Sequence, residues 1–428
     1  MLDTDYFFGP ILGAVLVVIS TVLFYWYSIQ NHDFWEKKKI PHVKPFPFVG
    51  TLLSYVKKPL HEVDMERYKK FGRIFGHYEG TKPVLMVAEP SLLRDIFVKD
   101  FHIFPNRRTF QVGDPIIDKM VSVVQGEDWK RIRTVITPTF STGKIKRMMS
   151  IFKDSTQTLI QNFNKAIQKG EAIEAKRISF FPPSATNFFR EATLNIITER
   201  KRTSQTRNDF LQLLMDTAKE LSEDPKSELN EKDHEDIAST YGGVSTDHQI
   251  FKSVTKKNLS MDELVAQCVI FFLAGYDTTA STLSLATYEL ALNPDIQEKV
   301  HQELVDTLKE TNGELTYDAL QSMKYLDCII SETLRLYPPA LRFTLEERQK
   351  RDPYCYQPFG AGPRNCVGMR FALMEVKLCL AYVIANFKIK KSPKTQVPLK
   401  FLSGQAGLLQ PKNIYVSMIP RDDNPIVK

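Results

Sequence analysis

Ten residues near the C-terminal end, Phe359-Gly360-Ala361-Gly362-Pro363-Arg364-Asn365-Cys366-Val367-Gly368, set one cysteine in a glycine-rich loop. An apolar run follows directly and predicts a helix from Phe371 to Phe387. The glycines let the backbone take tight or positive-φ conformations and approach a bulky ligand closely. A helix starting behind Cys366 would present unpaired N–H groups and a positive dipole end, which favours thiolate over thiol. Pro363 and Phe359 suit a rigid, dry lining. A buried thiolate held this way is a good axial ligand for heme iron. The plainer alternative is a structural cysteine in a turn, the usual fate of a free thiol.

A second group of residues breaks local rules. The helix predicted from Ser260, with Glu263 completing a capping box, runs to a stop at Asn293-Pro294. It is apolar on nearly every turn and so is expected to be buried. Its middle reads Ala274-Gly275-Tyr276-Asp277-Thr278-Thr279. Glycine inside a helix costs about 1 kcal/mol against alanine, and a buried aspartate is unfavourable unless partnered. Two such violations together point to a site. The alternative is a kink in which Thr278 bonds its own i−4 carbonyl. Trp129 and Arg133, four apart, fall on one helical face. Glu332 and Arg335 lie on a helix predicted from Lys324 to Tyr337, stopped by Pro338-Pro339; the same spacing recurs at Glu174/Arg177 and Glu199/Arg202.

The cysteine loop resembles the heme-binding signature of the cytochrome P450 superfamily, Phe-x-x-Gly-x-Arg-x-Cys-x-Gly, and fills every fixed position. Met369-Arg370-Phe371-Ala372-Leu373 and Leu408-Leu409-Gln410-Pro411 narrow the likeness to the animal microsomal clan with the 3A-type enzymes. The resemblance covers nearly the whole chain. It implies a mainly α fold with a small β-rich lobe, and heme b (iron protoporphyrin IX) with Cys366 as the axial ligand of its iron. Phe359 and Gly360 would line the cofactor. Trp129 and Arg133 resemble the family's Trp-x-x-x-Arg helix that binds a heme propionate, with Arg364 and Arg107 as further propionate residues. The Asp277-Thr278 pair is similar to the family's Ala-Gly-x-Asp/Glu-Thr element, in which the threonine positions dioxygen and the acid relays protons. Glu332 and Arg335 would form the family's structural Glu-x-x-Arg ion pair, buried and fully hydrogen-bonded.

The activity implied is a monooxygenase that inserts one oxygen atom into apolar small molecules such as xenobiotics, steroids or lipids. No Gly-rich dinucleotide fingerprint follows a strand, so electrons would come from NADPH-cytochrome P450 reductase, with cytochrome b5 as a second donor. Basic residues near the cysteine loop and the Trp129 helix could dock an acidic partner. Two other readings stand beside it: a heme-thiolate isomerase, disfavoured by the intact Asp277-Thr278 pair, and a non-catalytic, heme-poor membrane protein.

The last alternative arises from two departures. Only 30 residues separate Arg335 from Cys366. The family carries there a pocket strand, a propionate arginine and a meander, of which Arg342-Phe343 is the candidate remnant. The stretch between Trp129 and Ser260 is also short, as though a helix or two were absent near Ala175 to Phe180. The predicted fold is therefore an incomplete one, and lost core helices would leave cavities.

Composition sets the frame. In 428 residues, 43% are hydrophobic and the net charge is +7 with both signs intermixed. That balance suits anionic lipid or an acidic partner rather than a nucleic-acid surface. Five cysteines, at 268, 328, 355, 366 and 379, show no CxxC spacing. This fits a reducing compartment and argues against a disulfide or zinc framework. Tyr6 to Asn31 carries no formal charge over 26 residues, enough to cross the roughly 30 Å hydrocarbon core as one transmembrane helix. Asp3 and Asp5 precede it and Lys37-Lys38-Lys39 follow, which places the remainder in the cytosol. A cleaved signal is the alternative, but no basic n-region or small-residue cleavage site accompanies the run. Pro41, Pro45 and Pro47 form a stiff spacer ending at Gly50.

The expected organisation is a luminal tip, anchor and start of linker over 1–36, a hinge over 37–50 and a heme-thiolate domain over 51–428. The expected location is the endoplasmic reticulum membrane. Within the last region, Leu60 to Lys70 and Ser91 to Val98 predict helices around strands at Ile74–Tyr78 and Val84–Val87. An apolar patch at Phe180-Phe181-Pro182-Pro183 precedes a helix from Asn187 to Arg200; Ser222 to Asp236 reads as a solvated loop. Pro398 to Ile419 would contribute a hairpin turning at Gly404.

Overall fold

The computed structural model describes residues 5–109, 113–169, 173–174, 183–223, 258–338, 353–402, 409 and 411–426. They form two compact units, one reaching to Leu93 and the other holding most of the chain from Arg94 onward.

In the first unit, helix α1 (Asp5–Ile29) leaves its apolar side chains exposed from Leu12 to Trp26. At 25 residues it is about 38 Å long, sufficient to span a bilayer. Strands β1 (Ile74–Glu79) and β2 (Lys82–Val87) form an antiparallel hairpin in register from Ile74↔Val87 to Glu79↔Lys82. The turn uses Gly80 at φ 62°. The Trp35 ring lies directly on Gly76, where a Cβ would overlap it, and its indole donates to the His77 carbonyl at 3.2 Å. Helix α2 (Leu60–Phe71) turns Arg67 inward to bond the Thr51 carbonyl at 3.0 Å and the Ser54 hydroxyl at 2.8 Å.

The second unit is helical. Its elements are α3 (Gly126–Ile136), α4 (Thr142–Gln168), α5 (Pro183–Thr203), α6 (Phe210–Glu223), α7 (Met261–Leu292), α8 (Pro294–Glu310), α9 (Tyr317–Ser322), α10 (Lys324–Leu336) and α11 (Met369–Asn386). The main core packs apolar residues of α4, α7, α8, α10 and α11 together, including Phe152, Leu285, Leu304, Ile330 and Leu378. A small sheet closes it, with strands β3 (Ile173–Glu174), β4 (Phe387–Lys391) and β5 (Tyr415–Pro420) in the order β3-β5-β4, all antiparallel.

Helix α7 starts as its sequence predicts. Ser260 and Glu263 exchange side-chain and backbone bonds in a capping box, and Pro294 opens α8 behind Asn293. Its burial departs from expectation. Leu264 to Val269 and most residues from Thr279 onward are enclosed, whereas Phe272 and Tyr276 are 61% and 59% exposed. Among the described residues, Phe189 of α5 stacks on Phe272 but leaves much of that ring open. Gly404, the expected turn of the C-terminal hairpin, lies outside the described residues; the Lys412 N–H donates to the Lys400 carbonyl at 2.8 Å across it, and the strand that follows pairs with β4. The Phe180–Pro182 patch, Arg342-Phe343 and nearly all of the Ser222–Asp236 stretch lie outside the described residues too.

Polar side chains lock these helices together. Glu303 of α8 accepts the backbone N–H groups of Tyr325 and Leu326 at 2.7 and 2.9 Å, capping α10 from a distance. Gln297 donates to the Ile389 carbonyl at 2.8 Å and accepts its N–H at 2.7 Å, so one buried side chain continues the β4 edge. A leucine there leaves both backbone groups without a partner, and each buried unsatisfied group costs about 1–3 kcal/mol. Gln297→Leu is expected to lower the denaturation midpoint of the second unit, followed by helical circular dichroism in urea.

Candidate heme site

The cysteine loop is closed by its own backbone. The Cys366 N–H donates to the Phe359 carbonyl at 2.8 Å and the Asn365 N–H to the Gly362 carbonyl at 2.9 Å. Gly360 and Gly362 sit at φ 80° and 69°, the left-handed region that disfavours a Cβ. At Gly362 a Cβ would also run into the Phe97 carbonyl. Helix α11 begins at Met369 with Gly368 as its N-cap, two residues before the predicted Phe371.

Cys366 presents its thiol beyond the protein atoms of the loop. Phe359 packs on the main core, Val367 on a second cluster with Ile132 and Cys268, and Met369 is enclosed. The loop thus directs its apolar residues inward and leaves the thiol outward. A sulfur that must reach a metal in a large planar group needs that presentation.

Around the loop the structure gathers the expected cationic residues. Arg364 is buried, donates from Nε to the Pro105 carbonyl at 2.7 Å, and lies 4.1 Å over the Trp129 ring. Arg107 bonds the Arg364 carbonyl, and Arg133 Nη2 donates to Asn365 Oδ1 at 2.7 Å. Trp129 and Arg133 therefore both face the loop from α3, as their spacing predicts. Burial pushes the Arg364 guanidinium down to about 10, and the charges of Arg107 and Arg133 push the same way. Arg107 is also lowered by burial, opposed by the charge of Cys366. Every influence on Arg364 disfavours its cation, so an anion placed among these groups would be strongly favoured. A thiol beside three guanidinium groups fits an iron porphyrin, whose metal takes a thiolate and whose carboxylates take bidentate arginine.

The distal candidates are placed less simply. Thr278 Oγ1 donates to the Ala274 carbonyl of its own helix at 2.6 Å, the self-bonded alternative. Asp277 is partly buried one residue earlier. The Glu332/Arg335 pair forms two bonds, at 2.7 and 2.6 Å. Its side chains are 40% and 25% exposed, so the expected burial is corrected. The buried face of α10 is given instead to Leu326, Ile329, Ile330, Thr333 and Leu334.

A residue that sequence reasoning missed is Glu375, set in the interior of α11. It accepts a bond from Thr279 Oγ1 at 3.3 Å, and burial pushes its carboxyl up to about 7 against that bond. The available signal was an acid inside a run of apolar residues following the cysteine loop.

The cytochrome P450 family profile matches residues 40–199, 181–343 and 341–418. The chain belongs to the cytochrome P450 family. Curated relatives agree: cytochrome P450 3A6 of Oryctolagus cuniculus is 32% identical over 496 aligned positions, spanning 95% of this chain and 97% of the relative. Cytochrome P450 3A9 of Rattus norvegicus is 34% identical, spanning 96% and 97%, and cytochrome P450 3A12 of Canis lupus familiaris is 33% identical, spanning 95% and 96%. This is a 3A-type heme-b monooxygenase sequence. The aligned lengths exceed the 428 residues of the chain, so the relatives carry stretches without counterpart here. The profile match also breaks near 181–199 and near 341–343, beside the two places where the sequence is short.

Two outcomes follow from the geometry. Gly362→Ala places a side chain against the Phe97 backbone at a positive φ, at a cost of about 1–3 kcal/mol; faster hydrogen exchange at the Cys366 amide reads the opening of the loop. Glu375 has a carboxyl raised from 4.5 to about 7, so its neutral form contributes stability below pH 4.5 that is lost as pH rises through about 7. The full span is roughly 3 kcal/mol, and Glu375→Gln is expected to flatten that limb of the stability–pH curve.

Proposed function

We propose that this P450 monooxygenase hydroxylates apolar small molecules at a site on its second unit, with electrons from NADPH-cytochrome P450 reductase and cytochrome b5 as an accessory donor. The carrying observation is one exposed thiol in a glycine-closed loop beside Arg107, Arg133 and Arg364. Heme b, when bound, supplies the redox iron at which dioxygen is reduced. Cys366 Sγ would hold that iron, and the bond from the Cys366 N–H to the Phe359 carbonyl fixes its backbone. Arg107, Arg133, Arg364 and the Trp129 indole would hold the carboxylates of the cofactor. Phe359 and Gly360 keep the thiolate side dry and closely packed.

Thr278 and Asp277 serve the opposite face. The Thr278 hydroxyl must release the Ala274 carbonyl before it can pass a proton to a reacting oxygen, and the neighbouring Asp277 carboxyl would refill it. Glu332 and Arg335 remain structural. The apolar α1 supports a single-pass anchor over 1–36, a hinge over 37–50 and a cytosolic catalytic region over 51–428 at the endoplasmic reticulum membrane. The substrates we infer are apolar small molecules such as xenobiotics, steroids or lipids, a reading supported by the likeness to 3A-type relatives.

A heme-poor form is a second reading, favoured by the broken profile match and the exposed Glu332/Arg335 pair. Carbon monoxide difference spectra of the reduced, membrane-expressed chain decide between them. The expected result is a thiolate-type Soret band that Cys366→Ser removes, with product formation requiring NADPH and added reductase. A colourless protein under good expression supports the heme-poor form, and turnover of a peroxide without reductase supports an isomerase.

A further inference from the structure

The start of α3 is held by a residue outside it. The first N–H groups of a helix have no partner in their own turn, and the side chain at the N-cap commonly supplies one. Gln125 occupies that position and makes no such bond. Its carboxamide turns away and donates to the Arg107 carbonyl at 3.3 Å and to Thr109 Oγ1 at 3.0 Å. The Gly126 N–H goes instead to Asn106 Oδ1 at 3.0 Å, 20 residues earlier in the chain. Two carboxamides therefore cross-brace the site, one gripping the helix that carries Arg133 and one gripping the segment that carries Arg107. Arg364 of the cysteine loop lies across both. It donates to the carbonyls of Pro105 at 2.7 Å and Val124 at 3.4 Å, the residues directly before Asn106 and Gln125, and its Nη2 approaches Asn106 Oδ1 at 3.5 Å.

We propose that Asn106 and Gln125 are positioning residues for the carboxylates of the cofactor, a neutral brace that holds the segments bearing Arg107, Arg133 and Arg364 together against their mutual repulsion. This rests on the reading of those arginines as the groups that hold the carboxylates. Three like charges arriving from three segments favour splaying them apart, and burial together with Arg107 and Arg133 already disfavours the Arg364 cation. The acceptors named around Arg364 are carbonyl oxygens and one carboxamide, which orient a guanidinium without neutralising it. Both bracing side chains are exposed, so water competes for their bonds and the fold itself gains little from them. What they fix is the spacing of the cations. A carboxylate at position 106 would cap the helix as well as a carboxamide does. It would also pair with Arg364 or Arg107 and leave less positive charge for the cofactor. Capping and cofactor binding thus make opposite demands on this one residue.

The test compares Asn106→Ala, Asn106→Asp and Gln125→Ala in the full-length protein. Heme release is followed by transfer to excess apomyoglobin, and the carbon monoxide difference band reports the axial ligand. All three variants are expected to release heme several-fold faster while keeping a thiolate-type band, because Cys366 is not moved. Slow hydrogen exchange at the Gly126 amide should be lost in Asn106→Ala and kept in Asn106→Asp, showing that the aspartate still caps α3. Asn106→Asp is also expected to raise the urea midpoint of the apoprotein above the wild type, since it relieves the repulsion. A purely structural cap predicts wild-type heme release from Asn106→Asp, and that result overturns the proposal. Failure of the heme reading looks different: the wild type itself takes up no heme. The apoprotein then decides the brace, and equal urea midpoints for wild type and Asn106→Asp overturn it.

Discussion

Like charge gathered beside a thiol is the constraint that the second unit is built to tolerate. Arg364 is held by a neutral carbonyl oxygen of Pro105 and by the face of Trp129, and Arg107 by the carbonyl of Arg364 itself. Such acceptors orient a guanidinium without cancelling its charge, which is why burial and the neighbouring arginines all depress Arg364. A protein selected for stability alone would place carboxylates there. The strain is relieved by a bound anion, so cofactor binding and loop stability are linked.

The same economy explains how the long helix is fixed. Near its start, α7 is tied to α3 by Arg131 and Glu263 at 2.5 Å, and to the segment before α3 by Gln267, which donates to the Lys119 carbonyl at 2.9 Å and accepts the Val121 N–H at the same distance. Past Thr279 it is enclosed by the main core. Between these anchors lies the Ala274–Thr278 stretch, where Gly275 meets nothing within 4 Å and Thr278 bonds its own turn. A helix held firmly at both ends and loosely in the middle confines rearrangement to the Ala274–Thr278 stretch.

The sequence made some of this legible because certain signals are local. The capping box at Ser260, the stop at Asn293-Pro294 and the β1–β2 hairpin depend on neighbours a few residues away, and each appears as its residues predict. The Trp129/Arg133 spacing carried over because one helical face meets one loop. The Cys366 loop is legible from its glycines, Pro363 and Phe359, but nothing local records that Phe359, Val367 and Met369 turn inward around the thiol. Glu375 was passed over because its meaning comes from Thr279, 96 residues away in sequence. Burial of the Glu332/Arg335 pair was inferred from apolar neighbours, but period alone does not say which face of α10 turns to the core.

That last difference alters where the helices around the site get their support. A pair 40% and 25% exposed belongs with surface ion pairs, worth about 0–1 kcal/mol, rather than with enclosed ones. Beyond their shared apolar core, α10 and α11 are tied by Lys377, which is enclosed, reaches Asp327 of α10 at 2.6 Å and donates to the Leu320 carbonyl of α9 at 3.2 Å. Glu303 adds a cap that joins α8 to the start of α10. Removing one partner of an enclosed charge costs far more than removing one of an exposed pair. Lys377 therefore carries a structural burden that the resemblance assigns to Arg335. It does so on the helix that follows Cys366, so a chain shortened between α10 and the cysteine loop still has a direct tie between the two.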